Sequence, residues 1–159
     1  MTETKFSPLP DYTLPPVNEV VYVMQFTPLP EWRIPLIGML WQEIKGEYPK
    51  FREMPILAPV VERFDQVIPT EQAQIELLDR PPLPRLFFLD ATENWVMQVQ
   101  NDRFHHNWKR MKEGEPYPRF GAASERFFEA WDIFSRFLEK QGLPQPNFTQ
   151  FELTYINHI

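Results

Sequence analysis

Cysteine is absent from the 159 residues. That excludes disulfides and thiolate metal sites and fits a reducing compartment. Glycine is scarce, at 5 residues, and no glycine-rich turn leads from a strand into a helix. Neither a phosphate-binding loop nor a dinucleotide fingerprint is therefore present. No GxSxG elbow and no HExxH or HxxxH spacing occurs, which removes the usual frames for a serine nucleophile and a helical zinc site. Basic residues are outnumbered, 16 against 22 acidic ones, for a net charge of −6. That balance opposes broad attachment to nucleic acid or to an anionic membrane. No apolar run approaches the ~20 residues that span a bilayer. The opening MTETKFSPLPDYTLPP lacks the charged-then-apolar order of a secretory signal. Together these features describe a cytoplasmic soluble protein.

Proline and aromatic residues are plentiful: 18 Pro, 14 Phe and 5 Trp. The prolines predict stiff, extended connections, and the aromatics a ring-rich core or contact surface. The length suits one domain. Residues 1–17 form a proline-punctuated arm able to lay Leu9, Tyr12 and Leu14 on its own domain or on a partner. The β-branched and aromatic 19–26 stretch predicts a buried strand. Pro35 sits where a first helical turn tolerates it, and Ile37, Leu40, Trp41, Ile44 and Tyr48 then recur at helical spacing. Strands are expected at 54–64, with Pro55 and Pro59 marking an edge or bulge, at 72–78, at 85–90 and at 95–100, the last two forming a hairpin. A long helix is expected over 118–141, with an apolar band that includes Phe120, Phe127, Phe128, Trp131, Phe134 and Leu138. Gly142 and Pro144 stop it. Residues 151–159 read as a final strand. The order is β-α-β-β-β-β-α-β, an α+β fold. Its mostly antiparallel sheet of five to six strands carries two helices on one face. Residues 18–159 make a single domain, whose last strand is free to pair outside it.

The stretch Trp95–Arg110, WVMQVQNDRFHHNWKR, is the densest polar and aromatic cluster. If extended geometry continued through it, Gln98, Gln100, Phe104, His106 and Trp108 would share one side, and Arg103, His105, Asn107 and Lys109 the other. A bulge at Asn101–Asp102 would reshuffle them. Asp102, His105 and His106 are the candidate acid/base set, because a carboxylate can orient a histidine that titrates near neutrality. Neighbours on a strand point to opposite faces, however, so the two histidines would not act on one atom. A metal site would need Asp102, His106 and the distant His158 to converge, and neither metal nor cofactor is expected. Ser7, Ser124 and Ser135 have no evident base. Glu113 and Glu115 lie in a loop and are expected to face solvent. Arg103, Lys109 and Arg110 interleave with Phe104 and Trp108, as a stacking surface for single-stranded nucleic acid would require. The binding residues expected from this cluster are Gln98, Gln100, Arg103, Phe104, His106, Asn107, Trp108 and Arg110.

The segments LPPVNEVVYVMQF, PRLFFLD, QVQNDRFHHNW and ELTYINHI resemble a sporadically distributed bacterial family of conserved hypothetical proteins. The resemblance covers nearly the whole chain but implies no activity, so no residue role is carried over. Members are usually longer, with the last motif near their midpoint. The resemblance thus implies that this chain corresponds to an N-terminal half, as a short variant or as part of a longer protein. The longer members would then be two similar halves, and ELTYINHI a strand in want of a partner. Three functional classes are weighed on this basis. The first is a non-enzymatic protein- or ligand-binding module, with itself (a homodimer through terminal strands) or another protein as partner. The second is an enzyme with His105 or His106 as general base and Asp102 orienting it. The third is a single-strand nucleic-acid binder.

Overall fold

Alternation sorts the first strand before any helix is placed. In β1, Val17–Phe26, Val20, Tyr22, Met24 and Phe26 enter the core, while Glu19, Val21, Val23 and Gln25 point to the other side. The computed structural model describes residues 12–13, 15–58 and 83–158. After β1 it holds α1 (Ile34–Ile44), β2 (Lys50–Met54), β3 (Arg85–Leu89), β4 (Trp95–Gln100), β5 (Arg103–Lys109), α2 (Arg119–Lys140) and β6 (Phe148–Asn157). The six strands form one sheet in the order β2-β3-β4-β5-β1-β6, and every neighbouring pair is antiparallel. The expected α+β architecture is observed, and the order β-α-β-β-β-β-α-β also holds, though not with the same four strands between the helices.

Both helices cover one face. In α2, Ala123, Phe127, Ala130, Phe134, Phe137 and Leu138 are buried at the three- and four-residue spacing of a single stripe. α1 adds Leu40 and Ile44, and the segments flanking it add Leu29, Trp32 and Tyr48. Phe104 of β5 lies against Trp131 and Phe134 at 5.3 Å between ring centroids, and Trp32 meets Phe134 edge-on at 5.7 Å. The band on α2 is narrower than the sequence suggested, for Phe120 and Phe128 are exposed. Gly142, at φ 70°, closes α2 as expected, and Leu143 N–H returns to Leu138 O at 2.9 Å. No helix of the described residues is long and apolar enough to cross a membrane.

Three expectations change. The second strand is Lys50–Met54 rather than 54–64. Pro55 ends the ladder because it offers no N–H, and residues 55–58 continue without regular structure. Residues 59–64 and the expected strand 72–78 lie outside the described residues, as do Leu9 and Leu14 of the arm. A strand not anticipated from the sequence, β5, follows β4 directly. Asn101 and Asp102 make a two-residue turn, pairing Gln100 with Arg103. The last strand begins earlier than expected, at Phe148, and pairs inside the domain with β1 along its whole length. Among the described residues, no strand lies beside its outer edge. The described part of the arm also stays on its own domain: Arg119 Nη2 donates to Tyr12 O at 2.9 Å.

Candidate functional site

The turn at Asn101–Asp102 decides which side chains meet. By placing Gln98 opposite His105 and Met97 opposite His106, it aligns the polar alternates of both strands on the face that carries no helix. Gln98, Gln100, Arg103, His105 and Asn107 therefore stand together there. Phe104, His106 and Trp108 lie beneath the helices. This corrects the grouping of Gln98 and Gln100 with Phe104, His106 and Trp108, which assumed one continuous extended run. It also removes Phe104, His106 and Trp108 from the expected binding set, since they are 0, 0 and 4% exposed. The stacking surface for single-stranded nucleic acid goes with them.

The polar face is wired across four strands. Arg85 Nη1 donates to Gln98 Oε1 at 3.3 Å, Gln98 Nε2 to Asn107 Oδ1 at 3.0 Å, and Asn107 Nδ2 to Glu19 Oε1 at 2.8 Å. On the β6 side Gln25 donates to Glu152. At the hairpin end, Asp102 accepts from Gln100 Nε2 at 2.8 Å and from Arg103 Nε and Nη2 at 3.1 and 3.2 Å. Gln100 also holds Leu57 by both amide atoms, at 2.9 and 3.0 Å, and Arg103 Nη2 holds Ala58 O at 3.1 Å. These two side chains thus pin the 55–58 segment across one end of the face. Buried polar groups persist only when partnered in this way.

His105, like Arg85 at its Nε on the same face, is an exception. It is 7% exposed, and its Nε2 is buried without a hydrogen-bond partner. It lies between two cavities, of about 340 and 320 Å³, and lines both. Burial, and then the Arg103 and Arg85 charges, hold its pKa down at about 3. His106, on the core side, stacks on Trp95 at 5.2 Å and shares a 2.9 Å hydrogen bond with Tyr48 Oη. Burial, with Arg126 beyond Trp95, likewise keeps its pKa at about 3. Both rings are neutral at pH 7, and they face opposite sides of the sheet.

The structure does not assemble the acid/base set. Asp102 is taken by Arg103 and Gln100, and among the described residues no hydrogen bond joins it to His105 or His106. No group of three or more histidine or acidic side chains able to hold a metal ion occurs among the described residues. Arg110 serves the arm instead, with its Nη2 on Pro15 O at 3.2 Å and its guanidinium over Trp108. Glu115 does not simply face solvent. It accepts from Asn94 Nδ2 at 2.6 Å and from the amides of Met111 and Lys112, which brace the loop and hold its carboxyl below the usual range. Arg85 and Glu19 belong to the polar face but were not among the expected site residues. Alternation in EVVYVMQF and RLFFLD carries the signal, since Glu19 and Gln25, or Arg85 and Phe87, fall on one side.

The two low histidine pKa values set an acid sensitivity. Each unfolded histidine binds a proton below its ordinary 6.5, whereas the folded one does so only near 3. Their stabilisation is complete above 6.5 and is lost as pH falls from 6.5 towards 3. The unfolding free energy from urea titration should drop as pH falls from 6.5 to 4, by up to about 1.4 kcal/mol per pH unit for each histidine. His105→Gln should flatten that slope by up to one proton. A free energy that is level over this interval, or a slope unchanged in the variant, would contradict the assignment.

No protein-family model, no curated protein and no solved structure matches the chain. What it does must be argued from its own geometry.

Proposed function

We propose that the protein is a non-enzymatic binding module that pairs with a second copy of itself along the outer edge of β6. The observation that carries this is the contrast between the two edges of the sheet. β2 is five residues long and carries Lys50, Arg52 and Glu53, the charges and brevity that protect an exposed strand from pairing. β6 is ten residues, FTQFELTYIN, with one charge and no proline. On its helix-side face Phe151, Leu153 and Tyr155 are 63, 44 and 40% exposed.

Register favours a self-complementary contact. Antiparallel pairing about Leu153 sets Phe151 of one copy opposite Tyr155 of the other, and Glu152 opposite Thr154. Aromatic pairs across strands stabilise such a contact, whereas a centre on Glu152 would oppose like charges. A two-fold axis at Leu153 would join the two sheets into one of twelve strands. The uncommitted state of Asp102, His105 and His106 as catalysts supports a binding role over an enzymatic one. The lack of cysteine supports a reducing compartment such as the cytoplasm.

Sedimentation velocity at tens of micromolar should show a dimer. Leu153→Lys, which places two lysines face to face on the axis while disturbing an exposed position, should give a folded monomer. A wild-type monomer at high micromolar concentration, or a Leu153→Lys variant that still dimerises, overturns the proposal.

A further inference from the structure

The polar face holds a second feature, independent of β6. The 340 Å³ cavity is lined by Val21, Phe87, Leu89, Val96 and Met111, interleaved on the same sheet face with Arg85, Gln98, His105 and Asn107. Gln98 and Asn107 are occupied with each other. Arg85 engages Gln98 only through Nη1, at 3.3 Å. The Nε atom of Arg85 and the Nε2 atom of His105 are both buried without a hydrogen-bond partner. The guanidinium carbon of Arg85 lies 4.8 Å from the centroid of Phe87, so the ring holds it over the sheet.

Lys109 also lines the cavity, but the other cations nearby are neutralised. Arg103 is paired with Asp102, and Lys50 and Arg52 share Glu93. No carboxylate among the described residues lies within ion-pair distance of Arg85. A guanidinium with an unused N–H, beside a neutral imidazole with an unused ring nitrogen, is a matched pair for one carboxylate. The fork donates to two oxygens in plane, and a ring N–H can reach one of them. Glu19 and Glu93 also line the cavity, and their charge disfavours a dianion such as phosphate. The apolar residues among the lining call for a hydrocarbon body.

We propose that this cavity binds a small monocarboxylic acid with an apolar tail or ring. The carboxylate sits on Arg85 and His105, and the tail on Val21, Phe87, Leu89 and Val96. The bound anion favours a protonated His105, reversing the effect of the two arginines, so binding should raise that histidine's pKa.

Calorimetric titration of the full chain with acetate, hexanoate and benzoate tests this, with hexanol and inorganic phosphate as controls. Hexanoate and benzoate should saturate, and more tightly than acetate. Hexanol and phosphate should not saturate. Arg85→Gln should weaken hexanoate by about tenfold or more, with Arg85→Lys intermediate because it keeps the charge and loses the fork. Val21→Phe, on a different strand, should exclude hexanoate and spare acetate. It therefore remains informative if the Arg85 variants fail to fold. Histidine resonances followed by NMR should show one ring moving to a higher pKa with hexanoate. Absence of saturable binding to any of the three acids overturns the proposal, as does equal affinity in Arg85→Gln that is shown to be folded. Phosphate binding as tight as hexanoate overturns the carboxylate assignment.

Discussion

Phe104→Ala should destabilise the protein by about 3–5 kcal/mol, the range for truncating a fully buried phenylalanine. Phe104 is inaccessible and sits in a cage of three rings from α2: Phe127 at 6.2 Å, and Trp131 and Phe134 at 5.3 Å. Those rings hang from a rigid helix of 22 residues, so they cannot close far over the space left behind. Alanine would forfeit the transfer free energy and leave a cavity as well. At about 2–4 °C per kcal/mol for a chain of this size, the melting point should fall by roughly 10 °C. Phe128→Ala, one turn's edge away but 59% exposed, should stay within about 1 kcal/mol. Urea unfolding of the pair provides the check. Similar losses in both variants would mean that the sheet is not held to α2 through Phe104.

The second large effect is electrostatic. Asp102→Ala should cost about 3–5 kcal/mol, because it strands the Arg103 charge. The two side chains are 10 and 5% exposed, and the carboxylate spans Nε and Nη2 of the guanidinium. Water cannot replace it without opening the turn. The double variant Asp102→Ala with Arg103→Met should recover part of the loss, since removing both charges also removes the need to desolvate either. Equilibrium unfolding of the single and double variants decides it. A single variant within about 1 kcal/mol of wild type, or a double variant no better than the single, would sink the claim.

Local pattern made much of this architecture legible. The stripe Phe127, Trp131, Phe134 and Leu138 marked α2 and Gly142 its end, because helical period and a left-handed cap are properties of the chain near itself. Trp95–Gln100 was legible by alternation. β5 was not, for two physical reasons. Its turn uses Asn101 and Asp102 without glycine, and neither takes a positive φ, so the usual hairpin mark is missing. Its polar alternates Arg103, His105 and Asn107 also resemble surface, although all three are buried and Arg103 and Asn107 are hydrogen-bonded to other segments. β2 was displaced because the apolar 55–58 stretch looks more like a strand than KFREM does. Partnership with β3, a long-range property, chose the charged segment. The opposition of His105 and His106 followed from alternation alone. Their neutrality, and the capture of Asp102 by Arg103, depend on burial that no local pattern specifies.

The two-residue turn at Asn101–Asp102 has a consequence for what mutation can do to this chain. β5 is buried on both sides, yet its sides are chemically unlike: Phe104, His106 and Trp108 on one, Arg103, His105 and Asn107 on the other. The strand therefore has a parity. A one-residue slip of β5 against β4 would deliver charges into the aromatic layer and rings onto the polar face. Length changes in the hairpin should be accepted only where the turn absorbs them, as a three-residue loop with a bulge can, and leaves that parity in place.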